Sequence, residues 1–472
     1  MASQLDPQAR IVSQPVLSRV LGIWSSVAIV IGTVIGSGIF LVPKRMIIEV
    51  GSTSSLFVVW VVGGLLTLFG ALTYAEVAAA MPEAGGEYVF LREAYGPFWG
   101  YLYGWTQLTV AKSGSLATLG TGLYLYLAVF FPSFGHSITT IPLPIGQGGG
   151  YLEIRYGQLV SIGIIILLCG LNYIGVQAGG NFQVLITALK LALIAGVVII
   201  GLFVGSGSFD HFHESAGIGN GFAGFFAALV GALWAYDGWN NLSMVSSEIR
   251  DPQRNLPRAL ILGTLAVIAT YLAVNVAYFY VLTPTDVARS DQVAATMMGR
   301  IYGSAASRGV AIVVVISILA ALNGSILSGA RVPYAMARDG YFVRTLSWIH
   351  PRFRTPAVSM IVLCLWSCVL ILSGWYEQLY NFVIFGSWIL YAMTAASVFV
   401  LRKRRPEMPR PYRTIGYPLV PALFVGVALI LLLSTLVHSP RESLMGLALM
   451  AAGVPFYYHF RRRRFFSRTS DF

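Results

Sequence analysis

Apolar residues run through this chain in long, near-continuous blocks joined by short polar stretches. Such runs predict helices. Twelve blocks can be marked, at 20–42, 55–81, 98–131, 157–175, 182–205, 222–246, 257–282, 309–335, 357–374, 378–401, 416–437 and 442–460. A bilayer crossing needs roughly 20 apolar residues, and each block is about that long. The expected fold is therefore an all-α integral membrane protein of twelve crossings. The joints are short, except for the Pro- and Gly-rich stretch 132–156.

Composition agrees. The 472 residues are 56% hydrophobic and 11% charged, and the mean hydropathy is +0.73. A soluble domain carries about 25% charged residues. The net charge of +12 would suggest nucleic acid if it were spread over a soluble surface. Here it gathers at one side of the blocks, as in Arg402-Lys403-Arg404-Arg405 and Arg461-Arg462-Arg463-Arg464. Positive charge concentrates on cytoplasmic loops, so both termini are expected in the cytoplasm and no nucleic-acid partner is expected. The first 17 residues are polar and lack an apolar core, so no cleavable signal is expected before the first crossing.

Two blocks are interrupted. The first contains Gly32-Thr33-Val34-Ile35-Gly36-Ser37-Gly38-Ile39-Phe40, and glycine costs a helix about 1 kcal/mol per residue relative to alanine. The sixth contains Trp234-Ala235-Tyr236-Asp237-Gly238-Trp239-Asn240-Asn241. Non-helical backbone inside a bilayer is tolerated where it lines a cavity or is buried in protein. The breaks lie five crossings apart, so their helices run in opposite directions. That is the pattern of an inverted five-helix repeat with a site between discontinuous helices. The expected organisation is a tail at 1–17, a first repeat at 18–205, an outer loop at 206–221, an inverted repeat at 222–401, an inner loop with two appended helices at 402–460 and a basic tail at 461–472.

Other chemistry is sparse. The cysteines, Cys169, Cys364 and Cys368, fall inside crossings and read as small buried hydrophobes. His211 and His213 stand beside Asp210 and Glu214 in an outer loop, which is expected to be solvated rather than to hold a metal. No HExxH, CxxC, P-loop or GxSxG occurs, so no enzyme, no cofactor and no ATP engine are expected. A channel would need a continuous polar lining or a charged ring, and the blocks offer neither.

Several motifs in order and spacing carry a resemblance. Ile35-Gly36-Ser37-Gly38-Ile39-Phe40 is followed by Pro82-Glu83-Ala84-Gly85-Gly86-Glu87-Tyr88 and Tyr95-Gly96. Then come Trp234 to Asn240, the run Glu248-Ile249-Arg250-Asp251-Pro252-Gln253-Arg254-Asn255-Leu256-Pro257, and Met336-Ala337-Arg338-Asp339-Gly340. Over nearly its whole length the chain resembles amino acid–polyamine–organocation transporters, and is similar to their L-type amino acid transporter branch. The resemblance implies the leucine-transporter fold and sodium-independent exchange of L-amino acids, mainly neutral and with cationic ones open, by alternating access. Proton-coupled uptake of amino acids or amines, and a membrane nutrient sensor without sustained flux, are the alternatives.

An amino acid presents a carboxylate and an ammonium. Unpaired N–H groups at a helix start suit the first, and orphan carbonyls at a helix end suit the second. The resemblance thus points to Ile35, Gly36, Ser37, Gly38 and Ile39 for the carboxylate and to Trp234, Ala235 and Asp237 for the ammonium, with Thr33 and Ser37 adding hydroxyls. Trp234 matches the aromatic that closes over the substrate, and Asn240 a polar position near the pocket. Asp237 reads as a structural acid, a selector for cationic substrates or a proton site. Lys190 matches the residue that replaces the second sodium ion of sodium-driven relatives. Proton carriage and snorkelling to the inner surface are its other readings. Lys112 is expected to tie helices together. Animal members use a cysteine in the loop between the third and fourth crossings to bond a glycoprotein. That loop has none here, so no disulfide-linked heavy subunit is expected, and the chain reads as a prokaryotic single-component protein of the inner membrane.

Overall fold

The computed structural model describes residues 16–143, 150–217, 219–373, 376–438 and 440–469, so the terminal stretches 1–15 and 470–472 lie outside it. The chain is mostly helical, and the predicted first crossing is two helices. α1 (Ile23–Val34) stops where Ile35 turns extended, and α2 (Gly38–Val50) restarts at a bend of 44°. α2 runs eight residues past the expected end of this block and closes on Gly51 in the left-handed region. α3 (Thr53–Ala80) begins at Ser52, whose hydroxyl accepts from the Ser55 N–H. On the connection that follows, Gly85 (φ +104°) and Gly86 (φ +53°) turn the chain into a short helix, α4 (Glu87–Tyr95). α5 (Pro97–Thr106), a π-helical turn at Gln107–Ala111 and α6 (Lys112–Leu127) make up the third predicted crossing.

The expected loop 132–156 folds partly as a hairpin. β1 (Ser137–Leu143) pairs antiparallel with β2 (Gly150–Arg155). α7 (Tyr156–Tyr173) and α8 (Val176–Phe203) end the first half.

The second half opens with another divided crossing: α9 (Gly221–Ala235), a turn, then the single-turn α10 (Asn241–Met244). α11 (Pro252–Val281) follows. The connection after α11 carries α12 (Pro284–Arg289) and α13 (Val293–Tyr302), two helices that the apolar pattern does not announce. α14 (Ser304–Gly329) continues into α15 (Arg331–Arg338). α16 (Ala357–Ser373), α17 (Tyr376–Arg404) and α18 (Leu419–His438) come next. The twelfth predicted block is split at Ala452 into α19 (Pro440–Ala451) and α20 (Gly453–Thr469).

Among the described residues, six helical spans are long and apolar enough to cross a membrane, or seven with the bent α1–α2 pair. The third, sixth and twelfth blocks each break into shorter helices at a π-turn, a glycine turn or Ala452. Leu167, Leu185 and Phe203 stand exposed on apolar spans, a face that lipid rather than water satisfies. This is a multi-pass membrane protein. At its centre lies α1, whose residues Ala28 to Val34 are all buried, with α11, α8 and α14 packed around it and α2 packed along α9.

Candidate functional site

The two breaks face each other. Thr33 Oγ1 donates to the Gly238 carbonyl at 3.0 Å. Gly238 has φ +108°, and a Cβ there would sit 3.1 Å from the Thr33 carbonyl oxygen. Gly38 makes a second close approach, since a Cβ on it would stand 3.1 Å from the Cα of Ala235. The Tyr271 hydroxyl, on α11, lies 3.2 Å from the Val34 carbonyl and 2.7 Å from that of Ala235. One side chain thus touches the last turn of both α1 and α9.

Between the breaks is a cavity of about 120 Å³. That is close to the engineered cavity of about 150 Å³ that takes benzene, so it suits a small molecule. Thr33, Gly36, Ser37, Gly38, Trp234, Ala235 and Asp237 line it. Ser37 and Gly38 present the start of α2, where the first N–H groups have no partner within the helix. Trp234 and Ala235 present the end of α9; the Trp234 carbonyl accepts from the Asp237 N–H at 3.0 Å and the Ala235 carbonyl from Tyr271 at 2.7 Å, and each oxygen keeps a second lone pair for a ligand. The arrangement offers donors on one wall and acceptors on the opposite one.

Three of the expected residues are placed differently. Ile35 and Ile39 are fully buried and do not line the cavity. Asn240 turns away from it and donates through Nδ2 to Glu87 Oε1. The next residue, Asn241, lines the cavity instead. The tight turn at Gly238 decides which of the two amides faces in.

Asp237 lies deep in the protein, yet its surface is open to the cavity. Tyr391 donates to its Oδ1 at 3.1 Å. Lys112 lines the same cavity and donates to Asn241 Oδ1 at 2.5 Å. It is a tie between helices, as expected, and also a cavity wall. The π-turn before it shifts the register by which α6 presents its side chains. Gly329 leaves room for the lysine stem, since a Cβ there would lie 2.5 Å from Lys112 Cγ. Gln107, Ser115, Thr118, Ser325, Ser387 and Tyr391 complete the polar lining. Nothing in the hydrophobic pattern singles these out, because a polar residue within an apolar block reads equally well as a packing contact.

Lys190 on α8 is fully buried and points inward rather than snorkelling. It donates to the carbonyls of Gly32, at 3.0 Å, and of Ile35. These belong to the end of α1, the negative pole of that helix. The ammonium holds the first break where the helix stops.

The segment before α1 is tied to the segment after α10. Val20 and Leu21 donate their N–H groups to the Glu248 carbonyl at 2.9 Å, and the Arg250 N–H returns to the Leu21 carbonyl at 2.9 Å. The Glu248 carboxylate and the Arg331 guanidinium, both fully buried, meet in two bonds of 2.7 and 2.9 Å.

Elsewhere, Cys169, Cys364 and Cys368 are free and buried. His211 Nδ1 lies 3.1 Å from the Phe279 carbonyl. Among the described residues no group of three or more His, Cys, Asp or Glu side chains could hold a metal.

The comparisons with known proteins follow the same line. Residues 21–453 match the family model described as amino acid permease. The serine/threonine exchanger SteT of Bacillus subtilis is 32% identical over 454 residues, covering 95% of this chain and 98% of that protein. The mouse b(0,+)-type amino acid transporter 1 is 32% identical over 448 residues, 94% of this chain and 88% of that one. The human cystine/glutamate transporter is 29% identical over 446 residues, 94% and 85%. With a family model over most of its length and relatives matched nearly end to end, the chain belongs to the amino acid permease family, within the amino acid–polyamine–organocation superfamily.

Proposed function

We propose that this chain is a secondary transporter that exchanges amino acids across a membrane, not an enzyme. One observation carries the reading: two helices broken at mid-length meet around a small cavity, one giving its N-terminal donors and the other its C-terminal acceptors. A zwitterion is the ligand that uses both. The name of one relative, the serine/threonine exchanger of Bacillus subtilis, supports the mode. Thr33, Gly36, Ser37, Gly38, Trp234, Ala235 and Asp237 form the binding site in this reading, with Ile35 and Ile39 giving backbone only and Asn240 acting from behind. Trp234 is the gate.

The cavity holds one acid, Asp237, and one base, Lys112. A site balanced in this way favours zwitterions with neutral side chains. A cationic side chain fits where it approaches Asp237, whose only hydrogen bond among the described side chains is from Tyr391, while Lys112 stays on Asn241. Lys190 supplies a fixed positive charge on the carbonyls of the first break, which makes sodium unnecessary.

The architecture that goes with this is twelve crossings. Ten form two inverted five-helix repeats, at 18–205 and 222–401, and two are appended, with both termini in the cytoplasm of a bacterial cell. The absence of cysteine from 132–156 favours a chain that works without a disulfide-linked heavy subunit, although the animal members of the branch weigh the other way. Co-purification under non-reducing conditions tests that point.

Binding energy drives the cycle. A ligand that bridges the breaks stabilises the closed state, so an empty carrier reopens without having crossed and a loaded one crosses. The test is uptake of a radiolabelled pool of L-amino acids into proteoliposomes. Uptake only into vesicles preloaded with unlabelled amino acids, equal in sodium and choline buffers, is the expected result. Uptake into empty vesicles driven by a proton gradient overturns exchange in favour of symport. Binding without flux makes the chain a sensor.

A further inference from the structure

Glu87 is fully buried and has no part in the cavity. Its hydrogen-bond partners are an amide and a hydroxyl, with no cation among them: Asn240 Nδ2 donates to Oε1, and Ser243 Oγ lies 3.1 Å from Oε2. Both partners belong to the inner half of the broken sixth crossing. The next basic residue on the same helix, Arg92, turns to Asp339 and Glu83 instead. Facing Glu87 from the neighbouring elements are Tyr74 on α3, Tyr103 on α5 and Tyr391 on α17, with Lys112 on α6 and Asp237 farther across the break. Two acids therefore share one base, and that base is hydrogen-bonded to Asn241. The Tyr103 hydroxyl reaches toward the Glu87 carboxyl and the Tyr74 hydroxyl toward Thr394, and neither closes a well-formed hydrogen bond.

The geometry has room for one proton. Ser243 Oγ lies 2.7 Å from the Asn240 carbonyl as well as 3.1 Å from Glu87 Oε2. A hydroxyl has a single proton to donate. Given to the nearer carbonyl, it leaves the Ser243 oxygen as an acceptor aimed at Oε2. A proton on Oε2 then completes a chain in which Glu87 donates to Ser243 and Ser243 donates to Asn240. Without that proton, Oε2 and the Asn240 carbonyl compete for one donor. Burial pushes the Glu87 carboxyl up, against the donors that pull it down.

The contact is also built to separate. The Gly85 N–H donates to the Met244 carbonyl at 2.9 Å, and a Cβ on Gly86 would come within 2.5 Å of Ser243 Oγ. The inner connection and the inner half of the sixth crossing are pressed backbone to backbone, so parting them admits cytoplasmic water to Glu87.

We propose that Glu87 is a proton-binding latch on the inner half of the broken sixth crossing, protonated while Asn240 and Ser243 lie against it and ionised when that half swings away. This rests on the reading of the breaks as the moving parts. On opening, the O–H bond of the carboxyl breaks, and its proton passes to cytoplasmic water. On closing, a proton from the same side re-forms the bond. No proton crosses the membrane. The consequence is that inward opening, which releases one proton, is favoured by rising internal pH, by up to about tenfold per pH unit.

The test is exchange of an L-amino acid pool in proteoliposomes, with internal pH varied and external pH fixed. Wild-type exchange should rise with internal pH, and Glu87→Gln should exchange with a flat profile. A wild-type profile in Glu87→Gln overturns the latch, and so does a flat wild type. A second readout needs no flux. The purified full chain should show the infrared carbonyl band of a protonated carboxyl at neutral pH, lost in Glu87→Gln and shifted in Ser243→Ala. An unchanged band in both variants overturns the latch even if the protein exchanges well. A band that behaves as described, in a protein that moves no amino acid, keeps the latch and sinks the transport reading.

Discussion

The Thr33 hydroxyl on α1 lies 3.0 Å from the carbonyl of Gly238, the residue at which the sixth crossing turns. The same hydroxyl lies 2.7 Å from the Ile29 carbonyl within its own helix. It therefore chooses between an intrahelical bond and a bond that joins the two breaks. Thr33→Val keeps the shape and removes the choice. The loss of one hydrogen bond is worth about 1 kcal/mol, or about fivefold in apparent affinity. Half-saturation in exchange assays should rise by that amount, with protein yield unchanged. An unaltered value would remove Thr33 from the closed state.

Gly36 and Gly38 stand two residues apart and differ in consequence. A Cβ at Gly38 meets the backbone of Ala235 at 3.1 Å, whereas one at Gly36 finds nothing nearer than a Leu119 methyl at 3.7 Å. Gly38→Val should abolish binding of a labelled amino acid in a scintillation proximity assay. Gly36→Ala should retain it with a modest loss. Equal behaviour of the two variants would mean that the approach of α2 to α9 does not shape the site.

The positions of the breaks were legible in the sequence for a physical reason. Glycine clusters and an acid within an apolar block weaken helix, and both Gly36–Gly38 and Asp237–Gly238 mark real interruptions, although glycine alone does not decide it, since Gly63-Gly64 and Gly179-Gly180 lie within the unbroken helices α3 and α8. The identity of the lining side chains was less legible. Asn240 and Asn241 are chemically equal neighbours, and only the left-handed turn at Gly238 sends one to the cavity and the other to Glu87. In the sequence Lys112 reads as a tie between helices. Its place in the cavity depends on the π-turn at Gln107–Ala111, a register shift that no pattern of apolar residues records. The helices α12 and α13 were missed because they are short and lie on a connection. The hairpin in 132–156 was missed because its strands pair across a segment that looks like a loop.

Lys190 carries one positive charge to the carbonyls of Gly32 and Ile35. Lys190→Gln keeps a donor and loses the charge, so the negative end of α1 is left uncompensated. Exchange should fall by more than about tenfold, the scale of about 1.5–3 kcal/mol of lost charge-assisted bonding. Wild-type rates should be equal in sodium and in choline. A sodium requirement in the wild type would overturn the role of the lysine as a fixed cation.

Asp237 faces the cavity, where Tyr391 donates to it and Lys112 lines the same wall. If the acid selects the charge of the substrate side chain, Asp237→Asn should weaken competition by arginine more than by alanine. Competition assays against one labelled neutral amino acid read this directly. An equal loss for both competitors would assign Asp237 to the structure of the break. A loss of pH-gradient-driven uptake into empty vesicles, should the wild type show any, would assign it to proton coupling.

The Glu248–Arg331 pair makes two bonds with both side chains fully buried. Glu248 follows α10, the second part of the broken sixth crossing, and Arg331 opens α15 within the eighth, so the pair ties these two segments together. A buried pair is costly to form, and more costly to break by halves. Arg331→Met alone leaves an uncompensated carboxylate, a loss of about 3–5 kcal/mol. Arg331→Met with Glu248→Leu removes both charges and should recover most of that stability. Thermal unfolding of the purified protein in detergent would show a large drop for the single variant and a small one for the double. Exchange by the double variant then separates two roles. If the pair only supports the fold, exchange returns along with stability. If it must part and re-form as the inner side opens and closes, the stable double variant still exchanges slowly, because an apolar contact there resists opening without a charged pair to re-form.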